Sequence, residues 1–195
     1  MELNNFFSFF DWKYLQLEAP TDIYIKKMSE IKEHFLDQKT VSFILKQNKD
    51  PILYKVEKFE PEKKPGDLVF SMTTIFPGTI GKEFYFTQGH YHQNNYAEYY
   101  ICIKGEGLLL LKDNEKEEIY NFYAGSIVHI KPNFAHRVVN IKNETLKFLS
   151  VYPIDAGFNY QKVLQEGGFS TKVLKKDNSD KYELIGGSIN VSNYL

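Results

Sequence analysis

One block of the chain, Thr87-Gln88-Gly89-His90-Tyr91-His92, sets two imidazoles two residues apart, and a carboxylate follows at Glu98. A third imidazole, His136, comes much later. Residues at i and i+2 of a strand face the same side, so His90 and His92 project together. A hairpin return would bring Glu98 opposite the pair, and His136 would complete the set from another strand. Three imidazoles and a carboxylate suit a borderline first-row divalent metal; in six-coordinate geometry two positions stay open for water or substrate. Two His at this spacing also arise by chance. Here, though, three of only five His, with the Glu, fall in two blocks that read as strand and turn. The remaining two read as structural. His34 is expected on a helix, solvated; His129, alternating with Ile127, as a satisfied core or cavity-wall histidine.

Converging these groups needs a frame, and the composition describes one. A chain of 195 residues with 43% hydrophobic and 25% charged residues can bury a core. Aromatics reach 16%, with 14 Tyr and 16 Phe, which suggests a β-rich fold built on rings. The 24 basic residues nearly cancel the 25 acidic ones, so no electrostatic footprint for nucleic acid is present. Arg137 is the only Arg. Together with Lys82 and Lys131 it flanks the motifs; these charges are read as a solvated face and left out of the site. The lone Cys102 excludes an internal disulfide framework and reads as a buried small residue. The N-terminus lacks the basic start and apolar run of a signal peptide, and no segment nears the roughly 18 apolar residues of a membrane span. The expected setting is the cytoplasm, without a membrane partner.

Residues 1–50 read as an N-terminal arm and helix packing on a barrel, and 51–195 as the barrel with a C-terminal extension, a single domain overall. The first twenty residues are aromatic and irregular. After Pro20, the residues Ile23, Lys27, Glu30, Ile31, His34 and Phe35 fall at helical spacing, which predicts one short helix near 22–37. From Ile52 the pattern alternates as in a strand. Further short β-like runs follow at 68–76, 83–88, 96–103, 107–112, 117–123, 126–130, 135–142 and 146–152, with turn clusters between most of them. Weaker strand signals lie near 171–175 and 182–186. Many short strands without crossover helices predict an all-β, antiparallel barrel or sandwich and make a doubly wound sheet a poor alternative.

His90-x-His92, Glu98 and Gly105 resemble the first motif of the cupins, and Gly125, His136 and Asn140 the second. The likeness sharpens toward the cupin-type glucose-6-phosphate isomerases. It is carried by Thr73-Thr74-Ile75-Phe76-Pro77-Gly78, Glu83-Phe84, Thr87-x-Gly89-His90-x-His92, Glu98-x-Tyr100, Ala135-His136, Asn140 and Val151-Tyr152-Pro153, in order and register over roughly 52–175. The resemblance implies a small jelly-roll barrel with one divalent metal per subunit (iron first, with manganese, nickel or zinc able to substitute) on His90, His92, Glu98 and His136. It implies a homodimer and a sugar phosphate held by Tyr54, Thr73, Thr87, Gly89, Tyr152 and Tyr160. Departures are a five-residue His92–Glu98 interval, Lys131 and Asn133 in place of Pro and Gly, and Phe158 where a His is expected near the sugar.

Such a site implies interconversion of glucose 6-phosphate and fructose 6-phosphate, in glycolysis and gluconeogenesis. The enediol route needs a base near C1 and C2 and an electrophile for the developing oxyanion. Glu98 is the expected base, a metal the expected Lewis acid, and Tyr100, two after Glu98 on the same face, the group that orients Glu98 or the sugar. Competing readings are another cupin enzyme on the same ligands, such as a dioxygenase or other sugar isomerase, and a non-catalytic sugar-phosphate-binding cupin. The block Thr73 to Gly78 and Tyr152-Pro153 favour the isomerase.

Overall fold

The computed structural model describes residues 7–177, 179, 181–187 and 191–192. Its first departure from expectation is N-terminal. The stretch read as one helix near 22–37 is an edge strand, β1 (Asp22–Lys27), then a 3-10 segment (Met28–His34), with the helix α1 displaced to Gln38–Lys46. Periodicity was misleading because main-chain pairing to the next strand outweighs local propensity at Ile23, Tyr24 and Ile25, residues that favour strands in any case. Asp37 begins α1, its carboxylate accepting from the Thr40 amide at 2.9 Å and hydroxyl at 2.6 Å. Met28, Ile31 and Phe35 still face inward and join the main core, whereas Ile23 of the misread stripe is exposed on the edge strand.

The barrel strands follow in close agreement with the β-like runs: β2 (Ile52–Phe59), β3 (Leu68–Ile75), the two-residue β4 (Tyr91–His92), β5 (Glu98–Lys104), β6 (Glu106–Lys112), β7 (Glu117–Tyr123), β8 (Ile127–Ile130), β9 (Ala135–Asn140) and β10 (Leu146–Pro153). A short β11 (Phe158–Asn159) and helix α2 (Tyr160–Gln165) precede the hairpin β12 (Lys172–Lys175) and β13 (Tyr182–Ile185). One antiparallel sheet has the order β8-β5-β10-β3-β2-β1. The facing sheet is built on β9-β6-β7, with residues 191–192 alongside β7 in parallel. On the free side of β9 runs the segment before β4, bridged through Phe86 to Val139 and through His90 to His136. This is the cupin-like jelly-roll barrel, all-β apart from short helices.

Between the sheets lie Leu109, Phe122, Val138 and Phe148, all essentially inaccessible to water. Burying side chains of this size contributes about 1.5–3 kcal/mol each. Every residue of β9 is buried, because one face looks into the barrel and the other lies against Phe86, Phe169, Thr171 and Val173, with His34 of the 3-10 segment beside Arg137. That second covering buries His34, which was expected in solvent: it is 5% exposed and lies against Arg137. His129 departs the other way. On the edge strand β8 it points outward with Ile127, is exposed, and stacks on Tyr99 at 5.0 Å between ring centroids. Val128 and Ile130 take the inner face, so the strand alternation was right and its assigned face wrong. Cys102 is buried as expected, and burial pushes its thiol up to about 12.

A hairpin of Phe9–Asp11 with Gln16–Glu18 lies on the outside of the six-stranded sheet, where Phe10 and Leu17 pack on Met72 and Leu149. Its other side leaves Phe9 and Trp12 (69% accessible) in water.

Candidate metal centre

His90 and His92 flank β4's first residue, Glu98 opens β5, and His136 is the second residue of β9. The barrel brings these four distant residues together. One ligand atom from each lies within 4.8 Å of all the others. The His136 Nε2 to Glu98 Oε1 distance is 2.7 Å, and His92 Nε2 stands 3.9 Å from Glu98 Oε2. Ring centroids of His90 and His136 are 4.4 Å apart.

A local irregularity makes this possible. Phe86 pairs with Val139 and His90 with His136, so four steps on one strand oppose three on the other. The extra residue is a β-bulge at Gln88–Gly89. Because strand side chains alternate, one added residue flips everything beyond it. Thr87 and His90, three apart, thereby line the same cavity. Gly89 sits at φ +78°, and a Cβ there would lie 2.6 Å from Phe169 and 3.2 Å from the His136 carbonyl oxygen. Only glycine meets both conditions.

The buried atoms His90 Nε2, His92 Nε2, His136 Nε2 and Glu98 Oε1 have no hydrogen bond of acceptable geometry, despite the short His136–Glu98 approach. Four orphaned lone-pair atoms aimed at one point are costly unless a cation takes them. The opposite ring nitrogens are engaged: His92 Nδ1 donates to the Tyr96 carbonyl at 2.8 Å and His136 Nδ1 to the Phe134 carbonyl at 3.2 Å. Those bonds fix the proton on Nδ1 and free Nε2 as ligand. Burial, with the neighbouring imidazoles, holds His90 well below its usual value; burial also lowers His92, against the opposing pull of Glu98. Both are neutral near pH 7, the form that ligates. The donor set therefore fits a divalent first-row ion.

Two of the ligands, His90 and His136, border a cavity of about 40 Å³. Of the residues expected to hold a sugar phosphate, Tyr54, Thr73, Thr87, Gly89 and Tyr160 line it, as does Tyr100. The Tyr54 hydroxyl accepts from the Gln88 amide at 3.4 Å, and Thr87 Oγ1 accepts from the Val138 amide at 3.0 Å. Tyr152 stands elsewhere, behind His92 at 6.3 Å between rings. Tyr100 is held well above its ordinary value by burial, then by the Glu98 charge and a hydrogen bond to Glu98. Phe158 is paired with His92 across β11 and β4 and sets its ring edge against His90, centroids 4.5 Å apart. Sequence reasoning missed Tyr24, Gln88 and Phe148, which also line the cavity. Tyr24 was hidden by the helical reading of β1. Its ring lies 6.4 Å from Tyr54, a neighbour by strand pairing rather than by any motif. Phe148 was available only as one apolar residue among many in β10.

Comparison with known proteins gives the chain's family. The profile of the family described as glucose-6-phosphate isomerase (GPI) matches residues 25–185. A glucose-6-phosphate isomerase of Thermococcus kodakarensis is 42% identical over 159 residues, spanning 80% of this chain and 82% of that one. One of Pyrococcus abyssi is 41% identical over 80% of this chain and 83% of its own. A bacterial relative of the same name, from Sinorhizobium medicae, is 33% identical over 81% of this chain and 75% of its own.

Proposed function

Because the chain belongs to the cupin-type glucose-6-phosphate isomerase family, we propose that it interconverts glucose 6-phosphate and fructose 6-phosphate using a divalent metal on His90, His92, Glu98 and His136. The observation that carries this is the convergence of four buried ligand atoms left without other partners. Bound there, the cation would supply a Lewis acid for the sugar oxygens at C1 and C2. Iron heads the candidates; manganese, nickel and zinc also suit the donors.

The chain's own groups carry the rest. Glu98 takes the proton from one carbon and returns it to the other, the task of a base placed near both. The Tyr100 hydroxyl donates to that carboxylate and orients it. Thr73, Thr87, Tyr54 and Tyr160, with the Gly89 backbone, offer neutral hydrogen-bonding groups for the sugar phosphate, and Tyr152 backs His92. Among the described residues no Lys or Arg lines the cavity, so the phosphate is left to hydroxyl and amide donors. Exposed aromatics on the N-terminal hairpin support a homodimer. The relatives' activity on a sugar phosphate supports a cytoplasmic setting; no helix among the described residues is long and apolar enough to cross a membrane.

The test adds fructose 6-phosphate to metal-stripped protein in a coupled assay, then restores each divalent ion. Activity should vanish on stripping and return with at least one ion; full turnover without metal refutes the reading. Glu98→Gln should lower kcat by roughly a hundred- to ten-thousand-fold while the protein stays folded. Near-normal turnover in that variant would remove Glu98 from the base's role.

A further inference from the structure

Arg137 is the only arginine in the chain, and it is among its largest fully buried side chains. It was read as part of a solvated face. Instead its guanidinium lies between the rings of Phe86 and Phe169, 4.3 Å and 4.5 Å from their centroids. No carboxylate lies within ion-pairing distance of it among the described residues; Glu83 and Glu117 act on its charge only from further off. Its hydrogen-bonding partners among the described residues are two. Nη2 donates to the Gln88 carbonyl at 2.7 Å, and the same nitrogen lies 3.2 Å from His34 Nδ1.

The Gln88 carbonyl belongs to the bulge. The regular ladder holds on either side of it: the Thr87 amide donates to the Val138 carbonyl at 2.9 Å, and the His136 amide to the His90 carbonyl at 3.2 Å. Between them the extra residue takes the Gln88 carbonyl out of register. A buried carbonyl without a partner costs about 1–3 kcal/mol, and a regular strand would recover that energy by losing the bulge. The guanidinium removes the incentive with a short, charge-assisted bond. A buried arginine without a paired carboxylate is expensive where an apolar residue of like volume would fill the space. Here its cost goes with a local geometry that an apolar residue cannot supply.

We propose that Arg137 is a positioning residue: its guanidinium, backed by His34, Phe86 and Phe169, holds the bulged Gln88 carbonyl and so aims His90 into the metal site. The ligand itself, His136, is the preceding residue on β9. His136 faces the cavity and Arg137 the opposite side, so one strand ligates the ion and secures the neighbouring segment. This assignment rests on the metal reading above.

The experiment compares wild type, R137M and R137K as full chains. Far-UV circular dichroism and melting establish folding. Cobalt(II), a spectroscopic probe for the site, is titrated against a chromogenic chelator, and its d–d spectrum is recorded. Outer groups that orient ligands are worth about 10–100-fold in metal affinity, and R137M is expected to lose cobalt affinity in that range with an altered spectrum. R137K should lose less and shift the spectrum in the same sense. Should R137M not fold, R137K carries the comparison. Either folded variant with wild-type affinity and spectrum overturns the proposal, whatever its melting temperature. Hydrogen exchange at the Thr87 and His136 amides needs no metal and should quicken in both variants. If the wild type binds no cobalt, the metal reading fails, and exchange alone decides whether Arg137 holds the bulge; unchanged exchange overturns it.

Discussion

At the scale of single residues, chemistry was legible where rare types met a forced spacing. His90, His92, Glu98 and His136 stood out because imidazoles are few in this chain and strand alternation sets which of them share a face. Arg137 and His34 were not legible, because a charged residue far from any motif is usually solvated and their contact spans 103 positions. That buried contact has a pH signature. Burial first, then Arg137 and Lys172, lower the His34 imidazole from 6.5 to about 4. The groups facing it are Arg137 on β9, Lys172 on β12, whose ammonium donates to the His34 carbonyl at 3.1 Å, Gln88, and Glu33 at 3.6 Å. The unfolded chain therefore binds a proton near pH 6.5 that the folded chain refuses until about pH 4. The stability linked to His34 is complete above pH 6.5 and is lost as pH falls toward 4. Melting curves of the metal-free protein between pH 7 and 4 should show a steeper decline for wild type than for His34→Gln. Each kcal/mol corresponds to about 2–4 °C in a chain of this size. Parallel pH slopes would contradict the assignment of this linkage to His34.

At the scale of elements, most barrel strands were readable from alternation and turn residues, with bounds close to those found. The failures share a cause: partners that are remote in sequence. β1 forms because β2 offers an edge, and β4 with β11 because the chain returns past His92; neither pairing leaves a local trace. The bulge was half-visible, as Gly89 within a strand pattern. Its energetic weight is a matter of backbone conformation, and Gly89→Ala should destabilise the fold by about 1–3 kcal/mol, read as a shift in urea midpoint at unchanged slope.

At the scale of the whole molecule, two sheets, a covering N-terminal segment and an aromatic hairpin divide the tasks of holding, sealing and presenting surface. The hairpin's outward rings, Phe9, Trp12 and Tyr14, are each at least 60% accessible; in the homodimer proposed above they would be covered by a second copy. Light scattering behind a sizing column should then return twice the chain mass, and replacing Phe9 and Trp12 together by Ser should shift it toward the single-chain value. A monomeric wild type at micromolar concentration would refute the assembly. The buried interior bears on the reaction in another way. A chamber of about 40 Å³, walled by tyrosine and phenylalanine rings, leaves room for a water molecule or so once nothing else is bound. An abstracted hydrogen held on Glu98, itself buried, would be shielded from the bulk and handed onward before it mixed with solvent. The turnover would thus keep an isotopic memory: deuterium carried in at C2 of glucose 6-phosphate should emerge largely at C1 of fructose 6-phosphate, even in ordinary water.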